Sequence, residues 1–242
     1  MKNPILTPGI EPGRKITLRV EIEPPAPGQW RVRRIISRAA CRATTKYPSV
    51  RLDRSVHCES RLEVELAELL DACAQVTHFG EQPARLRFSM DGAVHSHVPD
   101  FLAQSATDRT FFEVKFVKDV TADVLARTQC LIPLLAERGY RYRLVTERQL
   151  RQGSYLDNAR YLLRRGRAPV PRTVALSLLT RVRAAGTLRW DAIERDNLVA
   201  EIARLILDGA LAVPMQSPLG PQTQVTAATN EEGEPWAWAL FN

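Results

Sequence analysis

The order in which the hydrophobic period changes along the chain constrains its fold most. Four leucines recur at helical spacing in residues 59–74 and predict an amphipathic helix. Alternating apolar positions then predict three consecutive strands: residues 84–90, 93–102 and 110–116. A helix over 121–138 and a short strand over 140–145 follow. Together these elements predict an α/β fold in which a three-stranded meander contributes to a mixed sheet flanked by helices.

The two ends of the chain carry weaker patterns. Residues 1–30 form a Pro-rich extended arm in which Ile16, Leu18, Val20 and Ile22 alternate with polar residues. This alternation predicts a strand added to a sheet edge, with a partner-binding arm as the alternative. The tail carries three large aromatic residues, Trp236, Trp238 and Phe241. We expect it to form a closing strand on a small C-terminal domain, or else to dock on a partner while exposed.

A short linker over residues 166–172 divides the predicted domains, a larger one over 31–165 and a smaller one over 173–242. Beyond the linker the pattern predicts three compact helices: 173–185, 190–195 and 197–208. Residues 210–215 and 223–226 then predict a β-hairpin joined through a Pro/Gly-rich turn. Three helices followed by a two-stranded wing predict a winged-helix-like domain.

Composition excludes several classes of protein. The sequence contains no apolar run near the length needed to cross a bilayer and no signal peptide, so we expect a cytoplasmic protein without a membrane partner. Its four cysteines are widely separated, which argues against a zinc module and against a disulfide framework.

The basic charge of the chain favours polyanionic partners. The formal net charge is +7, which favours nucleic acid first and an anionic membrane surface second. One basic cluster is predicted to contact DNA phosphates: Arg31, Arg33, Arg34, Arg38, Arg42 and Lys46. A second cluster has the same character: Arg160, Arg164, Arg165, Arg167 and Arg172. For any single arginine, a solvated surface position is the alternative.

Charged residues interrupt the apolar strand over 110–116. Because side chains alternate along a strand, Glu113 and Lys115 share one face. Antiparallel pairing through the turn at 103–109 would bring Asp100 within reach of Glu113. Ser60 precedes Glu63 by three residues, as in a capping box, so Glu63 is expected in the first helical turn above the sheet.

Acidic side chains at this spacing repel each other unless a cation lies between them. Hard oxygen ligands favour Mg²⁺ or Mn²⁺, one or two per site, held by Glu63, Asp100, Glu113 and the carbonyl of Val114. Such ions support phosphodiester hydrolysis, for which Lys115 would orient or deprotonate water, or neutralise developing charge. A structural ion cluster is the alternative.

The spacing Pro99-Asp100, then Glu113-x-Lys115, resembles the motif of the PD-(D/E)xK nuclease superfamily, whose fold is restriction-endonuclease-like. A longer set of segments occurs in the order found in TnsA, the endonuclease subunit of Tn7-like heteromeric transposases: 47–49, 59–63, 81–83, 98–101 and 112–115. The resemblance extends over residues 45–226, but only the motif around the site is specific.

The resemblance implies a role for each site residue and a set of partners. Glu63, Asp100 and Lys115 match the catalytic positions, and Glu113 matches a metal ligand. The family cleaves the 5′ ends of transposon DNA, a DDE transposase subunit (TnsB) cuts and joins the 3′ ends, and an AAA+ regulator (TnsC) contacts the C-terminal domain. The protein would then act as an endonuclease within that assembly.

The sequence leaves alternatives for the roles of three further residues and for the function. Gln82 is expected to fix a turn, with positioning of water as the lesser alternative. His95 and His97 share a face with each other and not with Asp100, so a metal role for them is also the lesser alternative. Two rival functions remain: another nuclease of this superfamily, in restriction or repair, and a catalytically inactive DNA-binding scaffold.

Overall fold

The computed structural model describes residues 19–32, 45–229 and 235–241 of the 242-residue chain. Within these residues the fold is mixed α/β, with several small sheets and eight helices. The mixed α/β class predicted from the sequence is confirmed. None of the helices in the described ranges is long and apolar enough to span a membrane.

The largest sheet has four strands in the order β4-β7-β8-β9. Their bounds are β4 His78–Glu81, β7 Phe101–Gln104, β8 Arg109–Lys115 and β9 Arg141–Thr146. β7 pairs antiparallel with β4 and with β8, whereas β9 is parallel to β8. Helix α2 (Ala122–Ala136) supplies the crossover between the two parallel strands. The predicted mixed sheet is confirmed.

Strand β8 carries a buried apolar face on each side of this sheet. Phe112 and Val114 pack into the larger hydrophobic core, together with leucines of helix α1 (Arg61–Ala72). Phe111 points the other way and packs with Tyr142 and with leucines of α2. The sheet is therefore covered on both faces, and the face of Phe111 is the one that Glu113 and Lys115 share.

The predicted three-stranded meander is wrong, because the strand expected over 93–102 is two strands in different sheets. β5 (Arg85–Met90) and β6 (Ala93–His97) form a hairpin through Asp91 and Gly92, both at positive φ. The break falls at Pro99, which has no N–H to continue a ladder. From Asp100 onward the chain pairs with β8 instead, the Asp100 N–H donating to the Phe112 carbonyl at 2.9 Å.

The N-terminal arm contributes an edge strand, as expected. β1 (Val20–Glu23) pairs antiparallel with β5, which gives a three-stranded sheet in the order β1-β5-β6. Val20 is buried in the smaller core beside α2. The predicted alternation at Ile16 and Leu18 lies outside the described residues.

A buried acid holds α1 to the loop that precedes it. That loop joins β2 (Thr45–Pro48) and β3 (Ser55–Cys58), which form a two-stranded sheet. The carboxylate of Asp71 accepts hydrogen bonds from the Tyr47 hydroxyl at 2.7 Å and the Ser49 hydroxyl at 2.8 Å. It also accepts from the backbone N–H groups of residues 50 and 51. These donors compensate for burying the carboxylate and fix the position of α1.

The three helices and the hairpin expected after residue 172 are present, and two further helices precede them. The helices are α3 Glu147–Leu150, α4 Tyr155–Arg165, α5 Arg172–Ala185, α6 Trp190–Arg195 and α7 Val199–Leu207. The strands are β10 Thr187–Arg189, β11 Leu211–Ala212 and β12 Gln224–Ala227. They form an antiparallel sheet in the order β10-β12-β11, so the expected hairpin gains a third strand.

The predicted linker does not separate two hydrophobic cores. One cluster of buried residues runs from the leucines of α1 through α4 to Ile202 and Leu205 of α7. At the start of the linker, Gly166 lies so close to α7 that a Cβ atom would come within 2.7 Å of the Arg204 nitrogen. The C-terminal helices therefore pack directly on the larger half of the chain.

The tail is a helix, so the expectations of a closing strand and of an exposed docking tail are both wrong. Helix α8 (Trp236–Ala239) places Trp238 and Phe241 against Phe112 of the largest sheet, with ring centroids 5.4 and 5.3 Å away. The Trp238 indole N–H donates to Asp108 at 3.2 Å. Burying these rings on the core removes more apolar surface from water than pairing on an exposed edge would.

Candidate active site

One cleft brings together all four residues predicted to be catalytic. It lies between the N-terminal end of α1 and the C-terminal end of β8. Glu63, Asp100, Glu113 and Lys115 line it, with Val114 between the last two. Residues that are 52 positions apart in the sequence therefore share one surface, as the sequence predicts.

The pairing of β7 with β8 sets the geometry of the two central acids. The antiparallel ladder ends where Phe101 pairs with Phe112, and Asp100 and Glu113 are the next residue on each strand. Oδ2 of Asp100 accepts a hydrogen bond from the Val114 N–H at 2.7 Å. This bond holds the Asp100 carboxylate over β8. The predicted antiparallel pairing is confirmed.

The charges in the cleft are not balanced at Asp100. Burial and then the negative charges of Glu113 and Glu63 raise the pKa of Asp100 well above its usual range, against the opposing effect of Lys115. Burial also raises the pKa of Glu63. Burial alone would lower the pKa of Lys115, but Asp100 and Glu113 outweigh it and raise that pKa. Lys115 therefore offsets only part of the effect that burial and the two neighbouring acids have on the pKa of Asp100.

Glu113 differs from Asp100 because three basic side chains surround it. Its Oε1 lies 2.7 Å from Nζ of Lys115 and 3.3 Å from Nη2 of Arg127, and its Oε2 lies 3.0 Å from Nε2 of His97. Burial tends to raise the pKa of Glu113, but the interaction with His97 and then with Lys115 lowers it. Glu113 is therefore held as a carboxylate.

Arg127 is a site residue that the sequence did not identify, and His97 is one to which it gave a metal role only as the lesser alternative. The sequence placed His97 away from Asp100 because it treated 93–102 as one strand; the break at Pro99 brings His97 into the cleft. Nε2 of His97 also lies 3.0 Å from the Tyr142 hydroxyl. Arg127 lies on α2, and a crossover helix that follows β8 must return over one face of the sheet, which was the available signal.

Hydrogen bonds at the start of α1 fix Glu63. The Ser60 hydroxyl caps the helix by accepting from the Glu63 N–H at 3.1 Å, and donates to Oε1 of Glu63 at 2.9 Å. Oε2 accepts from the N–H of Glu59 at 2.7 Å. The expected position in the first turn is confirmed, although the return bond goes to Glu59 rather than to the N-cap residue.

The donor chemistry of the cleft fits a hard divalent cation. Glu63, Asp100, Glu113 and the Val114 carbonyl supply only oxygen ligands. Burial and then repulsion from Glu113 and Glu63 raise the pKa of Asp100, and a cation would relieve that repulsion. In this conformation, however, no three His, Cys, Asp or Glu side chains of the described ranges are grouped to hold an ion. Basic side chains contact both Glu113 oxygens, and the first turn of α1 occupies both Glu63 oxygens.

Gln82 supports the site from outside the cleft. Its φ is +44°, and its backbone N–H donates to the Asp100 carbonyl at 2.8 Å. Its side-chain Nε2 donates to Glu59 at 2.8 Å. Gln82 does not line the cleft, so the geometry agrees with the expectation that it fixes a turn beside Asp100.

The predicted DNA-contacting residues are only partly described. Arg33, Arg34, Arg38 and Arg42 lie outside the described residues. Arg31 lies 3.8 Å from Glu81, and Lys46 is exposed on β2. In the second cluster Arg160 pairs with Glu68 at 2.9 Å, while the other members are exposed.

Comparison with known proteins does not assign the chain to a family. No protein-family model matches the sequence. The curated proteins give no significant match either.

Proposed function

We propose that this protein is a Mg²⁺- or Mn²⁺-dependent DNA endonuclease. The main support for this proposal is that Asp100, Glu113 and Lys115 line one cleft. Glu63, at the start of α1, lines the same cleft. Acids at strand ends beside a lysine on the same face can hold a divalent ion next to a cationic group, an arrangement that supports phosphodiester hydrolysis. The basic net charge of the chain favours a polyanionic substrate.

Each residue of the cleft has a distinct task in this proposal. Glu63, Asp100, Glu113 and the Val114 carbonyl would hold the ion. When bound, the ion polarises the phosphodiester and lowers the pKa of a coordinated water. Lys115, on the same face as Glu113, would orient or help to deprotonate the attacking water, or neutralise the charge that develops on the phosphate. Gln82 positions Asp100 through the backbone.

We further propose that the endonuclease belongs to a Tn7-like transposition system and acts as its TnsA-type subunit. The strand order β7-β8-β9, with α2 between β8 and β9, agrees with a restriction-endonuclease-like fold. The three helices α5–α7 and the sheet β10-β12-β11 agree with a winged-helix unit. The substrate would be double-stranded transposon ends, cut at their 5′ strands, with TnsB-like and TnsC-like proteins as partners.

Asp100→Ala tests the enzymatic part of the proposal. We expect the variant to lose strand cleavage in the presence of Mg²⁺ and the reconstituted partner proteins, because a ligand of the ion is gone. DNA binding is expected to persist or tighten, since a negative charge beside the phosphate is removed. Nicking assays on gels and fluorescence anisotropy measure the two properties. Asp123→Ala, an exposed change on α2, is the matched control and is expected to cleave normally.

The ion pairs around Glu113 also favour a second function, a DNA-binding scaffold whose acids serve only structure. Three basic groups contact Glu113, as in a structural ion cluster. In that case Glu63→Ala and Asp100→Ala would leave the activity of the assembly intact. Sequence-defined cleavage by the isolated protein would instead assign it to a restriction or repair nuclease.

A further inference from the structure

A second pocket lies beside the candidate active site, where residues 29–32 pass the end of β4. Its volume is about 380 Å³. We call it the Trp30 pocket, and the residues that define it are Trp30, Arg31, Arg54, His57 and Glu81. None of these residues lines the cleft that holds the four acids and Lys115. The pocket is therefore a separate feature of the surface.

Trp30 offers an aromatic surface to solvent. The residue is 67% exposed, and the Arg54 guanidinium lies over its ring, 5.2 Å from the centroid. Arg54 is fixed in turn by Glu81, whose carboxylate accepts from Nη1 and Nη2 of Arg54 at 3.1 and 2.9 Å. An arginine that covers one side of an aromatic ring leaves the other side open to a planar ligand.

The polar groups around Trp30 leave the pocket positively charged. Glu81 lies between two arginines, with Arg31 at 3.8 Å and Arg54 at 2.9 Å. Burial and then the positive charge of Arg31 lower the pKa of His57, so its imidazole is neutral at pH 7. Two guanidinium groups and one carboxylate leave one positive charge in excess. A nucleotide, with a planar base and a negative phosphate, matches this combination.

Two connections hold the Trp30 pocket next to the active cleft. The Val32 N–H donates to the Gln82 carbonyl at 3.0 Å, and the Gln82 N–H donates to the Asp100 carbonyl at 2.8 Å. Because hydrogen-bonded chains lie about 5 Å apart, Val32 lies about 10 Å from Asp100. In addition, His57 lines the pocket and Glu59 lines the cleft, with one residue between them.

A short boundary separates the pocket from the cleft. Glu81 belongs to the pocket, and Nε2 of its neighbour Gln82 donates to Oε1 of Glu59 in the cleft at 2.8 Å. Nucleotides along one strand recur every ~3.4 Å of helix axis. A DNA strand bound in the cleft can therefore reach Trp30 within a few nucleotides of the acids.

We propose that the Trp30 pocket binds an unpaired base of the DNA strand that the active site cuts. The base stacks on the open side of the Trp30 ring, and Arg31 contacts a neighbouring phosphate. Bases within a paired duplex are stacked on one another, so only an unpaired base presents its face to the indole. This inference rests on the proposed endonuclease function, and it names the preferred substrate as a duplex with unpaired bases near the cut.

Binding assays on the full-length protein without Mg²⁺ test the pocket, since cleavage then plays no part. The two probes are a fully paired duplex and the same duplex with a short run of mismatches. We expect Trp30→Ala to bind the mismatched duplex about tenfold more weakly than the parent protein does, because the stacking surface is lost. Both proteins should bind the paired duplex equally. Fluorescence anisotropy measures the affinities.

Two further variants separate stacking from a general effect of substitution. Trp30→Phe keeps an aromatic ring and is expected to retain most of the affinity for the mismatched duplex. Leu176→Ala removes an exposed apolar side chain from α5 and should bind both duplexes like the parent protein. Because a stacked base quenches indole fluorescence, the mismatched duplex should quench the parent protein more than it quenches Trp30→Ala.

Equal affinity of Trp30→Ala and the parent protein for the mismatched duplex would overturn the proposal. An equal loss on both duplexes would overturn it too, because Trp30 would then contact paired DNA. So would calorimetry showing that free dAMP binds through Trp30 while the affinity for mismatched DNA is unchanged. None of these results bears on the nuclease proposal, which the cleavage assay on Asp100→Ala decides separately.

Discussion

Asp100 is the acid of the cleft whose environment most disfavours its charged form. The Val114 N–H orients its carboxylate, yet Glu113 and Glu63 oppose its negative charge and Lys115 offsets them only in part. Glu113, by contrast, has Lys115, Arg127 and His97 within 3.3 Å of its carboxylate oxygens. The pKa values of Asp100 and Glu113 are therefore shifted in opposite directions because the two acids have different neighbours.

The raised pKa of Asp100 makes a prediction about stability. Because the folded pKa exceeds the unfolded one, the folded chain binds more protons between the two values, and its stability falls as pH rises through that window. We therefore expect Asp100→Asn to melt higher than the parent protein at pH 7 in EDTA. In a chain of this size, a change of about 1 kcal/mol in the free energy of unfolding shifts the melting temperature by about 2–4 °C.

The melting difference should disappear near pH 3.5, which is below the ordinary aspartate pKa of about 3.9. Thermal melts followed by circular dichroism over this pH range measure it. Asp123→Asn serves as the exposed control and is expected to melt like the parent protein. A lower melting temperature for Asp100→Asn than for the parent protein at pH 7 would contradict the raised pKa of Asp100.

The sequence predicted the acidic side of the site better than the basic side. Strand alternation placed Glu113 with Lys115, and the capping pattern placed Glu63, because both follow from local geometry. His97 and Arg127 depend on how separate elements pack, which period and propensity do not encode. Both residues contact Glu113 only because the small sheet and α2 pack on the same face of β8.

At the scale of elements, local pattern predicted most helices and strands but not which sheet each strand joins. The turn between the strands predicted over 84–90 and 93–102 was placed correctly, because Asp91 and Gly92 take the positive φ that a tight hairpin turn requires. The division at Pro99 was missed because the alternation of apolar residues appears continuous on both sides of it. The tail was misassigned because aromatic residues occur readily in strands, whereas tertiary packing decides their conformation here.

Helix α8 is expected to be essential for stability despite its four residues. Trp238→Ala removes a ring that is fully buried against Phe112 and a hydrogen bond to Asp108. We expect a loss of about 3–5 kcal/mol in the free energy of unfolding. Urea denaturation measures it, with Trp30→Ala, a change at an exposed tryptophan, as the control. A loss below about 1 kcal/mol would mean that the tail does not pack as described.

At the scale of the whole molecule, one hydrophobic cluster joins the residues on both sides of segment 166–172. The sequence indicated a linker there because Gly and Pro interrupt the helical pattern. Composition of this kind marks a change of element, and it does not reveal whether the flanking elements pack together. Here α4 and α7 do pack together, with Gly166 at their contact.

The shared core predicts one cooperative unfolding transition. Gly166→Ala would place a methyl group 2.7 Å from the backbone of α7, so the helices must separate or the substituted chain must shift. We expect a single denaturation midpoint, lowered equally when followed by circular dichroism and by tryptophan fluorescence. Gly220→Ala, with open space around the glycine, is the control. Two separate midpoints would show that the halves fold independently.

The passage of the chain between sheets at Pro99 has a mechanical consequence. His97 belongs to the small sheet, whereas the Val114 N–H holds the carboxylate of Asp100 to β8. Two residues separate His97 from Asp100 in the sequence. A rotation of the small sheet would hinge beside Asp100 and carry the imidazole away from Glu113, while Asp100 stays near the pivot.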